Sequence, residues 1–180
     1  MVSEKLPTKE QALQILRQSG CRRNVIKHCE VVAKLALEIA EACHENGLDV
    51  DLELVQTGAL LHDIGRSKTH DVHHAIIGAE IAKSFKLHEP VLAIIKRHVG
   101  GGITAREAEK LGWPKDIYIP KTLEEKIVAY ADKLIEGSRR VPIEKALRSF
   151  SRKLPPPAVE RVRRLHDEML TLVGDYKCLL

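Results

Sequence analysis

The run Ala59-Leu60-Leu61-His62-Asp63-Ile64-Gly65 decides how this chain is read. Three apolar residues close a helical pattern, a histidine and a carboxylate follow with no spacer, and Gly65 ends the helix. Adjacent side chains near a helix end can converge on one point. Taken alone, the doublet is equally an ordinary turn, because aspartate is a common turn residue. Its company makes the difference. His28 lies upstream, and His74, His98 and Asp132 lie downstream, each on or beside a helical apolar pattern.

Helical periodicity extends outward from the doublet in both directions. Thr8 to Gln18 reads as a short amphipathic helix stopped by Gly20. Asn24 is expected to cap a long helix to about Asn46, with Val25, Cys29, Val32, Leu35, Ala36, Ile39 and Cys43 at spacings of three and four. Gly47 is its stop signal. Asp51 to Leu61 leads into the doublet. His73 to Phe85 follows, then a helix opened by Glu89-Pro90 that ends in Gly100-Gly101-Gly102. Thr104 and Glu107 have capping-box spacing for a short helix to Leu111, and Thr122 and Glu125 repeat that spacing for a helix to about Glu136. Gly112 to Lys121, with Pro114 and Pro120, is loop. Pro142–Phe150 and Pro157–Val173 are the last helices, separated by Pro155-Pro156-Pro157. Ile117-Tyr118-Ile119 is the one hint of a strand, and it is too short to count.

The expectation is an all-α fold, a helical bundle with a short basic helical C-terminal extension. Its parts are an N-terminal helix (1–21), a main helical domain (22–137) and the extension packed on it (138–180). The 180 residues suit one core without staples. Aromatics are only 3%, so aliphatic side chains must build that core. No apolar run spans a membrane and no signal peptide is visible, so the cytoplasm is the default location. Cys21, Cys29, Cys43 and Cys178 form no C-x-x-C pair. Cys29 and Cys43 fall ~21 Å apart on one helix, too far for a disulfide, so buried thiols are expected. The net charge of +4 is uneven: Lys133 to Arg164 carries ten Lys/Arg against three Glu, and the remaining chain is negative. That basic face is a solvated surface or a contact for RNA.

Each candidate ligand has an ordinary alternative. His28, between Val25 and Val32, fits a core histidine. His98 fits a helix-terminal histidine beside the dipole. Asp132 is harder to dismiss, since it points inward among Ile127, Val128, Ala131 and Ile135. A carboxylate there needs a partner or a cation. His74 precedes Gly78, a helical glycine that suggests close approach of another backbone. Together the six residues require too many coincidences, and a metal explains all of them. Imidazole with carboxylate and no thiolate suits Fe, Mn, Co, Ni or Zn. Six ligands are too many for one open site, so two ions sharing the carboxylate of Asp63 fit better.

The order His28, His62-Asp63, Asp132 resembles the HD-domain superfamily of metal-dependent phosphohydrolases, and His62-Asp63-Ile64-Gly65 resembles its HDIG subset. His74 in His-Ala-Ile-Ile-Gly and His98 in Ile-Lys-Arg-His-Val match the extra histidines of small two-metal members. The resemblance covers roughly residues 22 to 137. It implies one ion held by His28, His62, Asp63 and Asp132 and a second by Asp63, His74 and His98, with His73 the rival to His74. No second histidine and no Gly-Tyr-Pro follow His98, which departs from the HD-GYP type. Arg66 stands where many relatives carry lysine.

The implied activity is hydrolysis of a phosphate ester or anhydride of a nucleotide or similar phosphorylated small molecule. In it a metal-activated water attacks, Asp63 orients that water, and Arg66, Lys68, Arg97 and Lys133 meet phosphate oxygens. Arg66 and Lys68 would serve catalysis directly. Trp113 and Tyr118 suit packing better than stacking on a base. Two rivals share the ligand set: an HD-like di-iron oxygenase, and a non-catalytic metal-stabilised module that binds nucleotide or RNA. A homo-oligomer is compatible with any of these.

Overall fold

The computed structural model describes residues 6–175, so Cys178 lies outside the described residues. Its helices are α1 Lys9–Gln18, α2 Arg23–Glu45, α3 Leu52–Leu61, α4 His74–Ser84, α5 Glu89–Arg97, α6 Ala105–Lys110, α7 Leu123–Lys133, α8 Ile143–Ser151 and α9 Pro156–Leu172. A 3-10 turn, Ile64–Ser67, joins α3 to the loop before α4. A two-residue hairpin pairs β1 Ile135–Glu136 antiparallel with β2 Arg139–Arg140. The fold is all-α, as the periodicity predicts.

The interior lies between α2, α3, α5 and α7, with α2 against both α3 and α7, and α3 against α5. Ile39, Leu60, Leu61, Ile94, Ile95, Ile127 and Leu134 are fully buried there. Each such side chain contributes about 1.5–3 kcal/mol relative to exposure, so a nearly aliphatic interior suffices. The extension joins this interior through Val162, Leu165 and Met169 of α9, which packs on α7 and α8. The loop Gly100-Gly101-Gly102 is cut to fit it: a side chain at Gly101 would meet the Arg161 backbone at 2.6 Å. Arg161 in turn bonds Gly102 O and the Glu107 carboxylate.

Helix ends depart from expectation in instructive places. Thr8 closes a capping box with Gln11, and Thr104 closes one with Glu107. Thr122 accepts the Glu125 N–H, but the second half of that expected box is missing. The Glu125 carboxylate accepts instead from Lys121 N and Arg97. Asn24 is not the cap of α2. Arg22 holds that position and makes no side-chain cap bond. The seventh helix stops at Lys133, short of the expected Glu136, because Ile135 buries its side chain from a strand as effectively as from a helix. Tyr118 makes a single bridge to Ile103, which is all the strand hint amounts to.

Candidate metal centre

The six candidate ligands arrive from five places in the chain. His28 comes from α2, His62 from the C-cap of α3, and Asp63 follows it directly. His74 opens α4, His98 is the C-cap of α5, and Asp132 sits in the last turn of α7. A pair of glycines brings two of these elements together. A Cβ on Gly65 would lie 1.9 Å from His74 O and 2.7 Å from Gly78 N, and one on Gly78 would lie 3.1 Å from Gly65 N. The turn after Asp63 therefore rests backbone-to-backbone on α4, which is the close approach that Gly78 suggested.

Every histidine of the set is fixed in the same way. His62 Nδ1 lies 2.7 Å from Ala59 O, His74 Nδ1 2.6 Å from Asp71 O and His98 Nδ1 2.8 Å from Ile95 O, each three residues back. His28 Nδ1 lies 2.6 Å from Gly137 O, in the turn of the hairpin. A carbonyl only accepts, so each Nδ1 carries the proton. Nε2 is then the atom each ring turns inward, the lone-pair donor when the ring is neutral, and at His28 the donor to Asp132 Oδ1 when the ring is protonated. All four Nε2 atoms face Asp63 and Asp132.

Asp63 divides its two oxygens between opposite sides. Oδ1 lies 3.2 Å from His74 Nε2 and 3.5 Å from His98 Nε2. Oδ2 lies 3.8 Å from His62 Nε2 and 3.9 Å from His28 Nε2, and accepts Arg66 Nε at 2.6 Å. Asp132 Oδ1 lies 2.9 Å from His28 Nε2 and 3.5 Å from His62 Nε2.

Ionisation follows from this packing. Burial opposes charge on Asp63, but His62, His74 and His98 outweigh it and hold the carboxyl well below the usual range. Asp132 is lowered in the same manner, with Lys133 and then His28 overcoming its burial. His98 is pushed down to about 4, first by burial and then by His62 and His74, with the nearby Asp63 only partly offsetting them. Cys21 is raised to about 11, by burial and then Asp63, so its thiol stays protonated and bonds Ile64 O. That keeps sulfur out of the ligand set.

The residues fit a divalent cation. His62 Nε2 and Asp63 Oδ1 are buried with no hydrogen-bond partner, and His74 Nε2 and His98 Nε2 stand 3.0 Å apart with lone pairs opposed. Two triads, His28–His62–Asp132 and His62–Asp63–His98, bring one ligand atom each within 4.8 Å of the others. His73, the rival, points elsewhere: its Nδ1 accepts from Trp113 Nε1 at 2.9 Å.

Residues 25–137 match the HD domain family. The chain belongs to that family. An uncharacterised protein of Methanocaldococcus jannaschii is 46% identical over 91% of this chain and 98% of its own. A tRNA (cytidine(56)-2'-O)-methyltransferase of Picrophilus torridus is 40% identical over 94% of this chain, which spans only 48% of that protein. Ribonuclease Y of Acidothermus cellulolyticus is 35% identical over 81% of this chain and 24% of its own length. The fold is shared with the HD domain of the Listeria monocytogenes phosphodiesterase PgpH, solved with cyclic-di-AMP. That structure has a TM-score of 0.54 and 18% identity over 92% of this chain and 96% of that domain.

In this HD domain the centre opens on the side of His28. A cleft of about 800 Å³ is lined by His28, Asp63 and Asp132 together with Arg66, Lys133 and the edge of α8. Of the cations expected to meet phosphate, Arg66 and Lys133 are there: Arg66 is tied to Asp63 and to His70 O, and Lys133 pairs with Asp132. The other two are not. Arg97 is turned away to Glu125, at 2.6 Å, and Ile117 O. Lys68 is exposed beyond the cleft rim. Trp113 and Tyr118 pack on each other with ring centres 4.9 Å apart, away from the cleft. Sequence reasoning missed the cleft wall supplied by Phe150 and Lys153, and the carbonyls of Asp71 and Gly137. The backbone acceptors leave no trace in residue identity.

Proposed function

We propose that this HD domain is a metal-dependent phosphohydrolase acting on a nucleotide or a related phosphorylated molecule. One observation carries the reading. Four imidazoles have their Nδ1 protons committed to carbonyls, so four Nε2 atoms converge with two ionised carboxylates beside a cleft that also holds Arg66 and Lys133. The methyltransferase among the similar proteins is matched over only 48% of its length, and phosphoryl transfer is chemistry that such a cluster suits. Another similar protein is named a ribonuclease, and the structural neighbour is named a phosphodiesterase.

His28, His62, Asp63 and Asp132 would hold one ion and Asp63, His74 and His98 a second, with Fe, Mn, Co, Ni and Zn all compatible with nitrogen and oxygen donors. When bound, the ions supply Lewis acidity that lowers the pKa of water towards ~7 and offsets charge on phosphoryl oxygens. The chain does the rest. Asp63, kept ionised by its histidines, orients the attacking water. Arg66 and Lys133 hold positive charge at the cleft floor, where the phosphate gains charge during attack. The carbonyls of Gly137, Ala59, Asp71 and Ile95 keep each imidazole from turning. Substrate approaches from the His28 side, because His74 and His98 are buried.

The test is a phosphate-release screen of protein loaded in turn with Mn, Fe, Co, Ni and Zn. Its panel holds nucleoside phosphates, dinucleoside polyphosphates and phosphodiesters, and metal content is measured in parallel. Release from at least one class, abolished by Asp63→Asn, is expected, and Asp132→Ala should lower the bound metal. No release with any metal overturns the reading.

A further inference from the structure

The cleft over the metal centre does not stop at the centre. A second depression of about 1020 Å³ adjoins it and shares Asn24 and Lys27 with it. This depression runs over the start of α2 to the end of α1, lined by Arg17, Arg23, Asn24 and Lys27, with Glu30 the one acid. Arg17, Arg23 and Lys27 are exposed and form no ion pair among the described residues. Several cations elsewhere are neutralised, Arg97 by Glu125, Lys126 by Glu168, Arg161 by Glu107 and Lys96 by Asp116, whereas these three lie side by side along one depression. The basic extension is also partly self-paired, Arg163 and Arg164 with Glu160 and Lys145 with Glu136. The helix beneath the depression adds to its potential. The first turn of α2 holds no acid, and its N-cap residue Arg22 makes no side-chain cap, so the positive end of a 23-residue dipole faces the same place.

We infer that the two depressions form one track for a single-stranded polynucleotide. One phosphodiester would sit at His28, Asp63 and Asp132, and the neighbouring backbone phosphates would lie along Lys27, Arg23 and Arg17. The inference rests on the phosphohydrolase reading for the bond that is cut, and narrows its substrate from a nucleotide to a strand. The two depressions share Asn24 and Lys27, and unpaired cations along a groove are how proteins follow a nucleic-acid backbone. Among the described lining residues Phe150 is the one Phe, Tyr or Trp along the track, with His28 and His70 the other rings. Recognition therefore falls on phosphates rather than bases and is insensitive to sequence.

Binding tests this independently of hydrolysis. Fluorescence anisotropy in EDTA would use a labelled single-stranded RNA of about 12 nucleotides, matching DNA, and a labelled mononucleotide, across a salt series. The strand should bind and the mononucleotide should not. The exposed triple variant Arg17→Ala, Arg23→Ala, Lys27→Ala should weaken strand binding roughly tenfold and flatten the salt slope by about two. A control, Arg148→Ala on α8 with Arg152→Ala at its C-cap, should leave both unchanged. Cleavage of bis(p-nitrophenyl) phosphate should survive the Arg148→Ala, Arg152→Ala control. RNA binding without DNA binding assigns the track to RNA, and equal binding assigns it to single strands generally. Strand binding with no cleavage of any ester keeps the track and removes the phosphohydrolase reading. Ester cleavage with no strand binding, or binding that is lost in the α8 variant and not in the triple variant, overturns the track.

Discussion

The two sides of the centre solve the same electrostatic problem differently. On the open side, His28, Asp132 and Lys133 already neutralise one another, and burial there is outweighed by Asp132 and Asp63, which raise the His28 pKa. On the closed side, His74, His98 and Asp63 are all at least 96% buried, and a pushed-down His98 faces His74 with no proton to share comfortably. A buried lone pair facing a lone pair, beside an unpartnered carboxylate oxygen, costs several kcal/mol unless a cation lies between them. The open side can tolerate exchange of what binds it, while the closed side depends on its cation. The first is where a substrate phosphate can reach; the second is an anchor.

Gly65→Ala should break the closed side most severely. Its Cβ would need to occupy space 1.9 Å from His74 O, and backbone on both sides of that contact is helical. A loss of more than ~4 kcal/mol is expected, as for severe internal overpacking. Thermal melts should fall by about 10 °C or more, with insoluble protein as the extreme result. An alanine variant that melts like the parent would mean the turn and α4 are not locked together.

Asp63→Asn should come next. It leaves the side chain's shape while removing the charge shared by both sides. Turnover should drop by about a thousandfold, corresponding to the several kcal/mol an ion–carboxylate contact controls in the transition state. Steady-state kinetics check it, and a drop below tenfold would mean the carboxylate serves one side only.

Chelation then separates the sides. Saturating metal at a hundred times its Kd should stabilise the fold by about 2.7 kcal/mol, seen as a melting shift of roughly 5–10 °C between EDTA-treated and reloaded protein. In the double variant His74→Ala, His98→Ala most of this shift should vanish. In His28→Ala most of it should remain. The reverse pattern would place the anchor on the open side.

The hairpin provides a subtler handle. Gly137 has φ +63° and aims its carbonyl at His28 Nδ1. Gly137→Val would strain that turn by about 1–2 kcal/mol and release the ring. Metal affinity at the open side should fall 10–100-fold, as for loss of an outer hydrogen bond to a ligating histidine, with the closed side unchanged. Calorimetric titration resolves the two sites.

What the sequence disclosed tracks the same division. The ligand types and their order were legible, because His, Asp and helical apolar spacing are local signals. Gly78 announced a close approach for the same reason, since a helical glycine has a cost that needs an explanation. The buried ion pair of Arg97 was illegible. Its partner Glu125 is 28 residues away and was read as a cap, a role a glutamate at that spacing usually takes. The end of α7 was misplaced because burial of Ile135 continues the helical pattern after the backbone has left it. The cleft wall from α8 was hidden for another reason: Phe150 and Lys153 come from a segment whose only evident signal was positive charge.

His73→Ala is the smallest expected effect and the sharpest check of register. His73 and His74 are adjacent, and sequence could only rank them. In the fold, His73 accepts a hydrogen bond from Trp113 in a small cluster with Tyr118, while His74 turns to the centre. Removing His73 leaves the Trp113 N–H unpartnered, a loss of about 1–3 kcal/mol, visible as a modest melting shift and altered tryptophan fluorescence. Metal content and the chelation shift should stay at the parent's values, since no ligand atom moves. His74→Ala should do the opposite, leaving tryptophan fluorescence unchanged while the closed side loses its ion. If the two variants exchange these signatures, the start of α4 is turned by one residue and His73 belongs to the anchor.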